Sequence, residues 1–364
     1  MTESYPSLTI TDDALSASAA TIEDVARAAD VSTATVSRVM NGSGGVRDKT
    51  RQKVLAAAQH LGYVANQQAK RLAGGHSKVV GLLVRELSTG YVGEIARGVD
   101  EALAECDYDL MLHTTHRKET DEAAHVMSLA RGLADGLVLV LPRKPGAYLQ
   151  TLRQLQFPHV LIDHIGLNDG SPAVSATNRQ GAIAGTQYLI GLGHQRIGFI
   201  TGSLNLGCSQ DRLEGYRAAM QIANIPIAPE WIYEGDFQQP AGYTAAHTLL
   251  QLPEPPSAIF ASNDVMAFGA MEAARDLGLR IPDDVSIIGF DDIPQSTHVN
   301  PPLTTVKQPL QEMGRVATQL LMECIRAGKP CQILTELPTE LVIRQSCSVP
   351  KARTGLAHAG IRDS

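Results

Sequence analysis

Aromatic residues are scarce: one Trp, six Phe and nine Tyr make up 4% of 364 residues. No apolar run approaches the ~20 residues needed to cross a bilayer. With 44% apolar and 19% charged residues the chain reads as a soluble, cytoplasmic, globular protein with no membrane partner. The opening MTESYPSLTITDDALSASAA has neither the basic start nor the apolar centre of a secretory signal, and residues 1–20 read as a disordered polar tail. The five cysteines, Cys106, Cys208, Cys324, Cys331 and Cys347, form no CxxC pair and lie near no comb of histidines, which argues against a metal site and for buried thiols in a reducing compartment. Hydrolase elbow, HExxH, phosphate-loop and dinucleotide fingerprints are all missing. The Gly42–Gly45 run lacks the GxxxxGK[ST] pattern and reads as a flexible loop. No acid–base pair can be assigned from spacing, so neither an enzyme nor a cofactor is expected.

The net charge of −7 argues against a nucleic-acid partner until its distribution is examined. Residues 21–78 hold nine Lys/Arg against four Asp/Glu, whereas the rest beyond the tail carries 22 basic and 31 acidic residues. A basic head on an acidic body is the footprint of a DNA-binding domain attached to something else. The length suggests two or three domains.

The head reads as helix, turn, helix and a third helix. Thr21 with Asp24 three residues on is a good helix start, and Ile22, Val25, Ala26 and Ala29 make its buried stripe. Asp30-Val31 makes the turn, Ser32 can cap the next helix, and Val36 and Val39 face inward. Thr33, Ala34, Ser37 and Arg38 are left on the outer side. Arg pairs with the acceptor edge of guanine, and short Thr and Ala side chains permit close approach in a major groove. Asp48 starts the third helix, for which Val54, Leu55, Ala58 and Leu61 are the expected inner face, with Lys49, Thr50, Arg51 and Lys53 placed to hold phosphates.

These residues resemble the head of the lactose-repressor/galactose-repressor (LacI-type) family of bacterial transcription regulators. The match runs through Ile22, Asp24, Val25, Ala26, Val31, Ser32, Thr35, Val36, Ser37, Arg38, Asn41, Val46, Thr50, Arg51, Val54, Ala57, Leu61, Gly62, Tyr63, Asn66, Ala69 and Leu72, and the resemblance continues to about Arg344. It implies that Thr33, Ala34 and Arg38 read base edges, within a DNA-facing set that also includes Thr35, Ser37, Asn41, Lys49, Thr50, Arg51, Tyr63, Asn66, Ala69 and Leu72. It further implies a hinge helix over Asn66 to Ala73 that folds in the minor groove, with Leu72 wedged into the central base step. Ala65 stands where the family usually has Pro, and Gly45 occupies a loop position that carries a contacting side chain in some members.

From Val79 the pattern changes. VVGLLV, YDLMLH, GLVLVLP, HVLID, RIGFITG, SAIFAS and VSIIGFDD read as buried strands, and Gly93 to Glu105, Gln180 to Ile190, Arg212 to Ala223 and Val265 to Leu277 as helices between them. Such alternation indicates parallel sheets covered on both faces, which bind ligands at the carboxyl ends of strands. Polar residues collect there: Asp163, Asn263 and Asp264, Asp291 and Asp292, and Arg212, which is expected to open a helix. Spacing alone fits a helix cap, turns and an internal ion pair as well as a ligand site.

The resemblance implies an α/β fold in which a three-helix helix-turn-helix head and hinge helix join a two-lobed, periplasmic-binding-protein-like effector domain. The divisions are a head over 21–64, a hinge over 65–76, an effector and dimerisation domain over 77–350, and a tail over 351–364. The lobes are roughly 77–176 plus 308–337 and 177–307 plus 338–350. Asp163, Arg212, Asn263 and Asp291 would contact the effector, with Tyr91 and Phe237 as aromatic lining; Val92 and Leu206 depart from residues seen in some relatives. The Asn263 match favours a sugar over a purine. The expected protein is a repressor homodimer on a palindromic, double-stranded operator, controlled by a small molecule, a carbohydrate by this match. A purine or nucleoside corepressor is the alternative within the family, and a solute receptor with a vestigial head the alternative outside it.

Overall fold

The structure is a computed structural model and describes residues 20–40, 45–63, 76–87, 90–115, 119–142, 146–164, 170–328 and 334–351. The chain divides into two compact units, residues 1–77 and 78–364.

The first unit holds α1 (Ile22–Ala29), α2 (Thr33–Met40) and α3 (Asp48–His60). Thr21 and Asp24 close a capping box at the start of α1, and Asp30 ends that helix in a left-handed turn. Ser32 caps α2: its hydroxyl accepts from the Thr35 amide at 3.2 Å. Val25, Ala26, Ala29, Val36, Val39, Val54 and Ala58 form the core, with Ile22, Val46 and Tyr63 packed against it. Leu55 and Leu61 do not join the inner face expected of them. They are 48% and 37% exposed, because the buried stripe of α3 runs through Val54 and Ala58, one turn apart, and Leu55 lies about 100° round the helix from Val54.

In the second unit the apolar runs become two parallel-stranded sheets. Strands β1 (Val79–Val84), β2 (Asp109–Thr114), β3 (Gly136–Val140), β4 (His159–Ile162) and β5 (Ala173–Ala176) build the first, which β11 (Leu334–Leu337) completes in the order β11-β5-β4-β3-β1-β2. The second is formed by β6 (Ile197–Thr201), β7 (Ile232–Glu234), β8 (Ala258–Ala261), β9 (Ser286–Asp291) and β10 (Thr304–Lys307), with β12 (Glu340–Val342) pairing antiparallel to β10; its order is β12-β10-β9-β8-β6-β7. β1, β3, β4, β6, β8 and β9 are buried throughout, as their unbroken apolar runs require. β2, also expected buried, is an edge strand and only half-covered, with Leu112 exposed.

Helices cover the faces: α4 (Gly90–Ala104), α5 (Glu119–Ser128, continuing in a π-helical turn, Leu129–Leu133), α6 (Gly146–Gln154), α7 (Asn178–Gly191), α8 (Gly207–Ile222), α9 (Gln239–Leu250), α10 (Asp264–Asp276) and α11 (Leu310–Ala327). α11 packs on α4 over the first sheet, where Gly98 and Gly314 let the two backbones meet; a Cβ at Gly98 would stand 2.0 Å from the Gln311 carbonyl oxygen. The chain therefore crosses between the sheets three times, near Thr177, near Gln308 and near Thr339. The first and third crossings are tied together: the Thr339 amide donates to the Thr177 hydroxyl at 2.9 Å.

Candidate functional site: the head surface and the interlobe cavity

On the head, Thr33, Ala34 and Arg38 are exposed on the side of α2 opposite Val36 and Val39, while Ser37 is half-buried. The Thr35 hydroxyl lies 2.9 Å from that of Ser32, so Thr35 completes the helix cap. Lys49 and Lys53 are exposed on α3, Thr50 and Arg51 half-exposed, and Tyr63 packs against the head core. A cationic helix surface beside a shallow, small-residue helix face fits a duplex groove flanked by phosphates. Asn41, Asn66, Ala69 and Leu72, with the departure at Ala65, lie outside the described residues.

In the second unit the six expected ligand residues converge. Tyr91, Asp163, Arg212, Phe237, Asn263 and Asp291 all line one cavity of about 170 Å³ between the two sheets. They arrive from six places: the first turn of α4, the end of β4, α8, the loop after β7, the cap of α10 and the end of β9. Arg212 does not open its helix as expected. α8 begins at Gly207, and Arg212 lies more than a turn inside it, pointing from a rigid element rather than a fraying end.

Four of the ten described non-glycine residues with positive φ line this cavity. Leu141, Asp163, Phe237 and Asp291, all cavity-lining, adopt positive φ of 47°, 53°, 71° and 123°. Non-glycine residues hold such conformations only where surrounding structure imposes them, and they cluster at functional sites. Gly202 makes room for one of them, since a Cβ there would stand 2.0 Å from the ring of Phe237.

A polar path runs through the floor. The Tyr91 hydroxyl donates to Asp163 at 2.5 Å, and the Ser175 hydroxyl donates to the other Asp163 oxygen at 3.0 Å. Asn178, just after the first crossing, donates to the Ala176 carbonyl at 3.1 Å and accepts from Arg212 Nε at 2.8 Å. Arg212 also donates to the Ser262 carbonyl at 2.5 Å, and its guanidinium stands 3.8 Å from an Asp291 oxygen and 3.8 Å from the centre of the Phe290 ring. Asp291 accepts from the Gln308 side chain at 2.7 Å, at the second crossing. Asn263 keeps its cap role, accepting from the Met266 amide, while its amino group holds the Phe237 carbonyl at 3.2 Å.

Burial sets the electrostatics. Desolvation pushes the Asp291 carboxyl well above its ordinary range, against the opposing pull of Arg212. Desolvation, then the neighbouring Asp163 charge, raises the Tyr91 phenol, and desolvation raises the Cys208 thiol to about 12, so neither is a nucleophile. Asp264 lies outside the cavity. Its buried carboxyl, raised to about 7 by desolvation, joins the Ile293 amide to the Ser296 and Thr305 hydroxyls. Asp292 is likewise diverted, pairing with Arg344 at 2.6 Å.

Sequence reasoning missed the rim. Arg85, Glu86, Ser203, Asn205, Asp236 and Gln238 also line the cavity. They sit on loops whose side-chain direction no periodicity encodes; Glu86 and Asp236 follow strand ends and were within reach of the strand-end rule. Among the described residues no group of three His, Cys, Asp or Glu could hold a metal, and no helix is long and apolar enough to cross a membrane.

A helix-turn-helix head on a two-lobed, ligand-binding body defines an effector-controlled DNA-binding regulator, and comparison with known proteins gives its family. Residues 21–66 match the family of bacterial regulatory proteins of the lacI type, and residues 186–347 match the periplasmic binding protein-like domain. The chain is 34% identical to catabolite control protein A of Priestia megaterium, over 90% of this chain and 98% of that one. It is 37% identical to the transcriptional repressor PurR of Histophilus somni, with the same coverage. Among solved structures it resembles a lac repressor dimer bound to operator and the anti-inducer ONPF (TM-score 0.78, 28% identity, 91% of this chain and 100% of that one). It also resembles the regulator CelR in complex with cellobiose (TM-score 0.70, 32% identity, 90% and 99%). The chain belongs to the LacI family of transcriptional regulators.

Proposed function

We propose that the chain is a repressor that binds a palindromic operator as a homodimer and yields it, or holds it, according to a sugar or sugar derivative bound in the interlobe cavity. The polar path through the cavity floor carries this reading. Tyr91, Asp163, Ser175, Asn178, Arg212, Asp291 and Gln308 link one sheet to the other and touch two of the three crossings. A ligand whose hydroxyls engage Asp163, Arg212 and Asp291 rebalances that path and so biases the lobe arrangement. Phe237 and Tyr91 supply apolar faces for the C–H side of a sugar ring.

On the DNA side, Thr33, Ala34 and Arg38 meet base edges, while Lys49, Thr50 and Arg51 hold phosphates, with Thr35, Ser37 and Tyr63 shaping and bracing that surface. Asn41, Asn66, Ala69 and Leu72 keep the roles that the family resemblance implies. Two copies place their heads about one helical turn apart on the duplex. The site of action is the bacterial cytoplasm, on the nucleoid. A coupling of ~1–3 kcal/mol changes operator affinity ~5–150-fold.

The PurR relative favours a second reading, a purine or nucleoside acting as corepressor, because the Tyr91 and Phe237 rings cover a flat base as well as a sugar. Thermal melting of the chain with ribose, glucose, cellobiose, hypoxanthine and guanine separates the two. A sugar that raises Tm and weakens operator binding fits the first reading. A purine that raises Tm and strengthens operator binding selects the second. No shift with any of them contradicts the cavity as an effector site.

A further inference from the structure

Three side chains of the second lobe pack with the core of the first. Ile293, 2% exposed, belongs to the cluster that contains Val80, Leu82 and Tyr91, and Val265 and Phe268 lie against that cluster. Phe268 also packs against the core of its own lobe. Gly90, the first residue of α4, lets the second lobe approach: a Cβ there would stand 3.0 Å from the Ile293 Cβ and 2.7 Å from the Gln295 side-chain oxygen. These contacts adjoin the cavity along the chain. Ile293 follows Asp291 by two residues and Val265 follows Asn263 by two, and both Asp291 and Asn263 line the cavity.

Asp264 stands between the two segments. One of its carboxyl oxygens accepts from the Ile293 amide at 3.0 Å and the Ser296 hydroxyl at 2.6 Å, and the other accepts from the Thr305 hydroxyl of β10 at 2.5 Å. Asp264, Ser296 and Thr305 are fully buried. Gly289 on β9 gives the carboxyl its room, since a Cβ there would overlap it. Hydrogen bonds in so buried a place are strong and hold their geometry.

Resting on the cavity reading above, we propose that Asp264 is a positioning residue for the effector response: it fixes the turn from Ile293 to Ser296 to the start of α10, so that a ligand bound at Asp291 shifts one lobe against the other instead of shifting the turn alone. Asp264 lines no part of the cavity and acts through Ile293, whose side chain sits in the other lobe's core. Coupling between two sites is carried by packed side chains and hydrogen-bonded elements that hold their shape. A turn released from Asp264 absorbs the ligand's push locally. The ligand then still binds, and the lobes stop following it.

Two single variants of the full-length chain test this. Ser296→Ala and Thr305→Val each take one hydroxyl donor from the same buried carboxyl, the first on the turn and the second on β10. Hydrogen–deuterium exchange without ligand reads the brace itself. Ser296→Ala should speed exchange in residues 291–297 and also in residues 90–95 of the other lobe, with β1 and β3 unchanged, whereas Thr305→Val should leave residues 90–95 as in wild type. Exchange at residues 90–95 that Ser296→Ala does not alter, or that both variants alter equally, overturns the proposal. Operator affinity by fluorescence anisotropy and ligand affinity by calorimetry then read the response, with whichever of ribose, glucose, cellobiose, hypoxanthine and guanine raises the wild-type Tm. Ser296→Ala should narrow the ligand-driven change in operator affinity by about 2–10-fold, the equivalent of one hydrogen bond, with ligand affinity kept within about threefold. Thr305→Val should keep that change within about twofold of wild type. A full response in Ser296→Ala, or an equal loss in both variants, overturns the positioning role. If none of the five compounds raises the wild-type Tm, the cavity reading fails, and the exchange experiment alone still decides whether Asp264 braces one lobe against the other.

Discussion

Gln238 Nε2 donates to Glu86 Oε1 at 2.6 Å, joining the loop after β7 of one sheet to the loop after β1 of the other across the mouth of the cavity. Hydrogen bonds to charged groups contribute roughly 1.5–3 kcal/mol. Removing this one by Gln238→Ala should loosen the mouth of the cavity and speed effector release on the order of tenfold, measured by stopped-flow. An unchanged release rate means that the lobes are held by other contacts.

Arg212 and Asp291 form a buried pair, and their removal should separate stability from response. Arg212→Ala takes from the buried Asp291 carboxyl the guanidinium that favours its ionised form, and breaking such a pair costs up to about 3–5 kcal/mol. Denaturant unfolding should show that loss, together with loss of the effector response. The double variant Arg212→Met with Asp291→Asn should recover much of the stability and none of the response. Recovery of the response would place the effector elsewhere.

Gly202→Ala should act through Phe237. The new methyl meets the ring, which must shift from its place over the cavity. Effector affinity is expected to fall about tenfold, an apolar contact worth ~1–1.5 kcal/mol, with operator affinity of the ligand-free protein unchanged. Unchanged effector affinity would show that the aromatic wall is not used.

His194 makes a pH-dependent contribution. It is buried, with one ring nitrogen 2.8 Å from the Ser257 hydroxyl and the other donating to the Ser348 carbonyl at 2.9 Å, and desolvation lowers its pKa from 6.5. The unfolded chain thus takes up this proton first, and the stability that neutral His194 supplies above pH 6.5 is lost as pH falls toward the folded value. Asp264, raised to about 7, works in the opposite sense, its carboxyl being easier to ionise in the unfolded chain, so the informative quantity is the difference between wild type and His194→Gln. That difference should shrink between pH 7 and pH 5; a flat difference contradicts the assignment.

The elements that sequence made legible are those with periodicity or chemistry behind them. Thr21–Asp24 and Ser32 announced their caps, and the unbroken apolar runs of β1, β3, β8 and β9 announced buried parallel strands. The six expected ligand residues line one cavity; the strand-end rule points to Asp163, Asn263 and Asp291, and the family resemblance to all six. What failed depended on neighbours. Leu55 and Leu61 are apolar yet exposed, since three helices offer Val54 and Ala58 a partner and leave Leu55 none. β2 carries a shorter apolar run, Leu110, Met111 and Leu112, flanked by Asp109, His113 and Thr114, and it lies at a sheet edge. Of the rim residues, Glu86 and Asp236 follow strand ends and were within reach of the strand-end rule, whereas their meeting through Gln238 joins loops of two different sheets, a relationship that no local pattern contains.

Effector occupancy of the cavity is expected to set operator affinity. Fluorescence anisotropy of the full-length chain on a labelled palindrome from its own upstream region, with and without a ligand that raises its Tm, tests this most directly. Tight binding that the ligand shifts ~5–150-fold, with a scrambled duplex bound far more weakly, is the predicted result. Equal affinity for palindrome and scrambled DNA, or an operator affinity indifferent to a saturating ligand, would contradict it.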